Sequence, residues 1–194
     1  MRMQNAEIRF IEDSDYPQVL HVWQTCFGDS EDYVRFFWQN AFPHCRGIGL
    51  WHDDTLVSML FMLPGMLQPG DVPAQYVYAV ATLPAHRKQG LAAKLLQHAA
   101  ASTCALALYP ATAQLQDYYA NQGFLPAFRK QDCGTGSFTF SPAMQAYMQA
   151  EAELTKRDLT QRDAFGGMLQ PLDEHTRAWL AATQGKAYLP FTLE

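Results

Sequence analysis

Apolar and polar positions alternate along "AEIRFIE" (residues 6–12), the period of a half-buried β-strand. Asp13, Ser14 and Asp15 follow as capping oxygens for an apolar-periodic helix over 16–27, which Gly28 closes. "GDSEDYVRFFWQNAF" repeats the design, with Asp29 or Ser30 opening a second helix. "GIGLWHD" and "TLVSMLFML" flank the turn signal Asp53-Asp54 and predict a β-hairpin. A strand over 74–82 ("AQYVYAVAT") leads through a basic loop into a helix from about 89 to 101. "CALALYP" (104–110) is apolar throughout and suits a central strand buried on both faces. "TAQLQDYYANQ" predicts a helix ending at Gly123, and "FLPAFRK" the next strand. Beyond it, Ser141-Pro142 opens a helix to about Lys156, a further helix covers 172–182, and "KAYLPFTLE" closes the chain as a strand over about 186–193. The order is mixed α/β, with one strand–loop–helix–strand unit at its centre.

Composition narrows the possible partners. The 194 residues contain 48% hydrophobic and 17% charged residues, the makeup of an ordinary globular chain. Fourteen Lys and Arg against nineteen Asp and Glu leave a net charge of −5, which argues against a general nucleic-acid binder. The most apolar run, 56–67, is broken by Pro64-Gly65 and is too short to span a membrane. The N-terminus lacks an apolar signal core, so a cytoplasmic protein is expected. Cys26, Cys45, Cys104 and Cys133 are scattered, with no C-x-x-C pair, and are expected to be reduced thiols. No histidine spacing suggests a metal site. The acidic cluster Asp29, Glu31 and Asp32 either attracts a cationic substrate or complements a helix dipole.

The chemistry concentrates in "ATLPAHRKQGLAAKLLQHAA" (81–100). The first turn of a helix leaves N–H groups unpaired and partially positive. Gly90 and Ala92 keep that turn bare, while Arg87 and Lys88 add formal charge beside it. The set reads either as a cradle for a pyrophosphate or as a helix entrance whose basic residues face water. It is neither G-x-x-x-x-G-K-[ST] nor G-x-G-x-x-G.

"TLPAHRKQGLAAKLL" resembles the cofactor motif of the GNAT superfamily of N-acetyltransferases, with Arg87, Gly90, Leu91 and Ala92 on the [QR]-x-x-G-x-[GA] core and Pro84 at its usual place. "DYYANQGF" is similar to the family's Y-x-x-x-G-F, aligning Tyr119, Gly123 and Phe124, about thirty residues further on. The resemblance covers roughly 6–130. It implies one GNAT domain over 1–194, with a core of 6–130, a helical C-terminal extension of about 141–183 and the closing strand. The implied fold is a central mixed, twisted sheet with helices on both faces and a splayed pair of parallel strands, 74–82 and 104–110. The chain also resembles the N-terminal half of enhanced-intracellular-survival acetyltransferases, which carry a much longer C-terminal portion.

The resemblance further implies an acetyl-coenzyme A-dependent N-acetyltransferase that moves an acetyl group directly to a small-molecule or peptide amine, needs no metal, nucleic acid or membrane, and acts as a monomer or homodimer. Acetyl-coenzyme A would pair with the backbone of Val80, Ala81 and Thr82 and set its pyrophosphate on Arg87, Lys88, Gln89, Gly90, Leu91 and Ala92. Tyr119 would serve the departing sulfur. Many relatives carry a glutamate base on the first splayed strand, and "YVYAVAT" has no carboxylate. By analogy with the enhanced-intracellular-survival proteins, the C-terminal carboxylate of Glu194 is a candidate base. Thr112 stands where many relatives have an asparagine. From the residues alone, Tyr118 and Tyr119 also fit a core, and His86 reads as a loop residue. A non-catalytic acyl-coenzyme A-binding or interaction module is the alternative function.

Overall fold

The computed structural model describes residues 6–129, 134–156 and 166–189. They divide into two units, one drawn from Met1–Met62 and Val77–Ala101, the other from Leu63–Tyr76 and Ser102–Glu194.

In the first unit, β1 (Ala6–Phe10) pairs antiparallel with β2 (Arg46–His52), and β2 with the first part of β3 (Thr55–Gln68). The Asp53-Asp54 turn joins β2 to β3, both residues in the left-handed region that two-residue hairpins require (φ 48° and 61°). Gln18, on α1 (Tyr16–Phe27), fixes this turn by donating to Asp54 O and accepting from Leu56 N. The last part of β4 (Val72–Thr82) also belongs to this unit, as do α2 (Glu31–Asn40) and α3 (Leu91–Ala100). Apolar faces at helical spacing, Val19, Val22 and Trp23 on α1 and Val34 and Phe37 on α2, are buried with Ile48, Leu50, Met59 and Phe61 of the strands.

Trp23 centres this core, 4.9 Å from Phe37 and 5.8 Å from both Phe61 and Tyr78, ring to ring. Its indole N–H donates to Asp29 at 2.8 Å. Ser30 is the cap of α2, and Glu31 and Asp32 pair with Arg35. All three acidic residues of the cluster therefore have partners within the unit.

The capping expectation ahead of α1 needs correction. Asp13–Asp15 form a 3-10 turn, and Asp15, at the cap of α1, gives that helix no side-chain bond. Its carboxylate instead accepts from Arg9 (2.7 and 2.9 Å) and from Glu12 N. Arg9 in turn stacks 3.7 Å above the Trp51 ring. The Arg9 bonds hold the Asp15 carboxyl below its ordinary value, against the opposing effect of burial. A depressed carboxylate stabilises the fold above its unfolded pKa of about 3.9 and ceases to do so as pH falls through the folded value. Asp15→Asn is expected to cost about 1.5–3 kcal/mol at neutral pH. In melts followed across pH, the gap between variant and wild type should close as the pH falls below about 4.

In the second unit the strands return to their start. β4 pairs in parallel with β5 (Ala105–Leu108) at Gln75↔Leu106 and Tyr76↔Ala107. β8 (Gly167–Pro171) lies antiparallel between β5 and β6 (Leu125–Arg129). β9 (Ala187–Tyr188) runs parallel to β6 and to β7 (Ser137–Phe140), and β7 pairs antiparallel with the second part of β3, from Gly65↔Phe140 to Gln68↔Ser137. Since β3 also neighbours β4, the order closes on itself. Inside are Tyr76, Phe128, Phe138 and Phe140, with Phe138 and Phe140 4.8 Å apart. A Cβ on Gly65 would stand 2.3 Å from the Phe138 ring, which is why this strand has no side chain there.

The mixed α/β architecture and the parallel pair agree with the sequence reading. Two strands, β7 and β8, are additions to it. α4 (Ala113–Asn121) is capped by Thr112, whose hydroxyl accepts from Leu115 N. α5 (Pro142–Thr155) opens on Ser141 as expected, and α6 (Glu174–Thr183) on an Asp173/Thr176 capping box. The expected closing strand is described only through Leu189, so Glu194 lies outside the described residues, as does Cys133. Cys26, Cys45 and Cys104 are free thiols, and burial pushes Cys45 up to about 12. Among the described residues, no helix is long and apolar enough to cross a membrane, and no group of three acidic, histidine or cysteine side chains could hold a metal.

Candidate functional site

The site starts where β4 stops being regular. Ala79 has φ +50°, a conformation that costs an L-residue roughly 1–2 kcal/mol. A kink of this kind inside a strand re-aims the residues that follow it. Just before it, Tyr78 is buried and its hydroxyl lies 3.0 Å from that of Tyr33. Just after it, the Leu83 N–H donates to Val57 O on β3. Backbone groups alternate in direction along a strand, so those of Thr82 and Val80 face away from β3. Ala81 faces toward β3, and its carbonyl accepts from the Ser58 hydroxyl at 2.9 Å.

From Thr82 the chain passes through a 3-10 turn, Pro84–His86, where His86 lies against His52 at 6.0 Å. Arg87, Lys88, Gln89 and Gly90 are all exposed. Lys88 and Gly90 both have positive φ (62° and 73°), which swings the chain into α3. Gly90 caps that helix without any side-chain acceptor, so the first-turn N–H groups have no side-chain cap. A Cβ on Gly90 would meet nothing within 4 Å. Leu91 is buried, so it can offer a ligand only its N–H, while Ala92 is half-buried. The Arg87 Nε donates to Thr82 O at 3.0 Å, and among the described residues the two terminal nitrogens of its exposed guanidinium make no other hydrogen bond.

The structure thus brings Val80, Ala81, Thr82, Arg87, Lys88, Gln89, Gly90, Leu91 and Ala92 together in one unit. Bare N–H groups, a glycine with open space before it and two cations suit a pyrophosphate. The outward-facing backbone of Val80 and the Thr82 N–H suit an extended amide-bearing arm, the Thr82 carbonyl being taken by Arg87 and Cys26, so the residues present fit coenzyme A.

Tyr119 belongs to the other unit, on α4. It is 7% exposed and packs edge-on against Phe124 (5.6 Å) and Tyr118 (5.2 Å). Among the described residues its hydroxyl has no hydrogen-bond partner. Burial, and then the neighbouring Tyr118, push its phenol well above the ordinary tyrosine value, so it stays protonated.

Sequence reasoning missed Ala79 and Ser58. A positive φ at an alanine leaves no mark in the sequence. Ser58 did leave one, as the single hydroxyl in the apolar run "LVSMLFML".

Residues 7–125, more than half of the chain, match the family model described as an acetyltransferase (GNAT) domain. No curated protein matches the sequence. Among solved structures, the chain is similar to a GNAT family N-acetyltransferase (YhbS) from Escherichia coli in complex with CoA, with TM-score 0.60 and 16% identity over 95% of this chain and 87% of that one. It is also similar to a GNAT family acetyltransferase from Brucella melitensis in complex with acetyl-CoA (0.54 and 17%, over 72% and 98%). A probable N-acyltransferase from Enterococcus faecalis V583 aligns with TM-score 0.55 and 15% identity over 63% of this chain, which spans only 33% of that longer protein. At these identities the likeness shows a shared fold, and the family match adds membership: the chain belongs to the GNAT acetyltransferase domain family.

Proposed function

We propose that the protein is an N-acetyltransferase that takes acetyl-coenzyme A as donor and a primary amine as acceptor, by direct transfer. The observation that carries this reading is the uncapped start of α3, with Gly90 open to solvent and Arg87 and Lys88 beside it, in the same unit as the outward-facing backbone of Val80 and Thr82. Structures of GNAT neighbours with CoA and acetyl-CoA support it.

Each residue has a physical task. The first-turn N–H groups and Arg87 hold the pyrophosphate, and the Val80 and Thr82 backbone orients the arm. The bound thioester supplies an activated acetyl group. An N–H near Val80 or Ala81 stabilises the oxyanion that develops during transfer. Of the two, Val80 faces away from β3 and is the better placed. Tyr119 donates to the departing sulfur. An alkyl amine of pKa about 10.4 costs about 4.6 kcal/mol to present as the free base at pH 7. Because 76–82 carries no carboxylate, a water chain or a carboxylate from elsewhere offsets that cost. The acceptor is a small-molecule or peptide amine, and the working form a monomer or homodimer, with no role for nucleic acid, a membrane or a metal. The missing strand carboxylate also favours a second reading, a binding module that holds acyl-coenzyme A without turnover.

Incubation with acetyl-coenzyme A and a panel of polyamines, aminoglycosides, amino acids and peptides, with free thiol as readout, separates the two. Amine-dependent thiol release is the expected result, and tight binding without release would establish the module. Arg87→Ala is expected to weaken coenzyme A binding by about 1.5–3 kcal/mol in calorimetry, the worth of a charge-assisted hydrogen bond.

A further inference from the structure

Ser58 has no exposed surface, and its neighbours Leu56, Val57, Met59 and Leu60 are all buried apolar residues. A hydroxyl in such a place costs free energy unless it is hydrogen-bonded. Here it is bonded twice, to Ala81 O at 2.9 Å and to Thr82 Oγ1 at 2.8 Å. Serine has one proton to give. With that proton on the Ala81 carbonyl, the Thr82 hydroxyl must donate to Ser58, which fixes the Thr82 side chain. Away from β3, the Thr82 carbonyl receives both Arg87 Nε (3.0 Å) and Cys26 Sγ (3.5 Å). One residue at the end of β4 is thereby tied to β3, to α1 and to the basic loop.

From this convergence we infer that Ser58 and Thr82 are positioning residues for the acyl donor. Together they fix the spacing between the backbone that pairs with its pantetheine arm and the guanidinium that meets its pyrophosphate. Arg87 is a strut as well as a charge. Its Nε is committed to Thr82 O while its terminal nitrogens remain for the anion, and a lysine, with one nitrogen, cannot do both from one position. The inference rests on the donor-site reading above.

The test is calorimetry with two probes, coenzyme A, which needs both halves of the site, and ADP, which carries a pyrophosphate but no pantetheine arm. Thr82→Val removes the hydroxyl and keeps the shape, while Thr82→Ser keeps the hydroxyl. Thr82→Val and Ser58→Ala should weaken coenzyme A by about 5- to 10-fold, the worth of one such hydrogen bond, and leave ADP within about twofold. Thr82→Ser should restore wild-type affinity. Arg87→Lys should weaken both probes nearly as much as Arg87→Ala does, although the charge is kept. Unchanged coenzyme A affinity in Thr82→Val would overturn the inference. So would equal losses for both probes, which mean a general loosening of the unit. Should the wild type bind neither probe, the donor-site reading itself would fail. Wild-type binding that Thr82→Val does not alter would remove only the positioning role.

Discussion

Tyr119→Phe is expected to lower the turnover number by about 100-fold or more, with coenzyme A affinity nearly unchanged. The substitution keeps the ring that packs on Phe124 and Tyr118 and deletes only the hydroxyl. A thiol of pKa about 8.5 leaves as thiolate, and a phenol near 10 sits about 1.5 units higher, so full proton transfer in water is uphill by roughly 2 kcal/mol. Burial raises the phenol of Tyr119, and it would raise a thiol in the same surroundings, because both lose solvation on becoming anions. On the proposed mechanism the donor would therefore act by a hydrogen bond that strengthens as the C–S bond breaks, with the proton following late. One control separates this from packing: Tyr118→Phe, which removes a hydroxyl and keeps the ring that lies 5.2 Å from Tyr119, should stay close to wild type. Equal turnover in Tyr119→Phe and wild type would return the leaving group to water.

Gly90→Val should weaken coenzyme A by more than about 100-fold. At φ +73° a β-branched residue is strained, and its side chain would occupy the open space before the helix entrance. Loss of two charge-assisted bonds from first-turn N–H groups, at about 1.5–3 kcal/mol each, gives 3 kcal/mol or more. The fold should survive, because a Cβ there meets no protein atom within 4 Å, at a stability cost of about 1–2 kcal/mol for the backbone alone. A melt alongside the calorimetry distinguishes the two effects. Undiminished affinity would place the pyrophosphate elsewhere.

What could be read from the chain alone was local. The Asp53-Asp54 hairpin, the Gly28 helix boundary and the Ser141-Pro142 helix start each depend on residues within one turn of one another, whereas α3, read from about 89, starts only at Leu91 with Gly90 as its cap. "SFTF" (137–140) does alternate, but four residues specify a strand only once β3 and β9 are there to pair with it. "GMLQP" (167–171) becomes a strand because β6 and β5 bracket it from positions about forty and about sixty residues earlier in the chain. The candidate cradle could be proposed from the chain alone because its chemistry lies in six consecutive residues. Ser58 was not, since its role depends on a strand that follows more than twenty residues later.

The closed strand order of the second unit has a consequence for how the chain is made. β3 and β4 are synthesised early, yet β3 meets β7 only after another seventy residues, and the last member, β9, leaves the ribosome near the end of the described chain. Pairings so distant in sequence carry a heavy loop-closure cost and form slowly. Until they form, the aromatic set around Phe138 and Phe140 is open to water and to neighbouring chains. The first unit's strands and helices precede residue 102 and can assemble while synthesis continues. Chaperone dependence, aggregation during expression and sensitivity to C-terminal deletion should therefore all trace to the second unit, and proteolysis during refolding should find the first unit protected earlier.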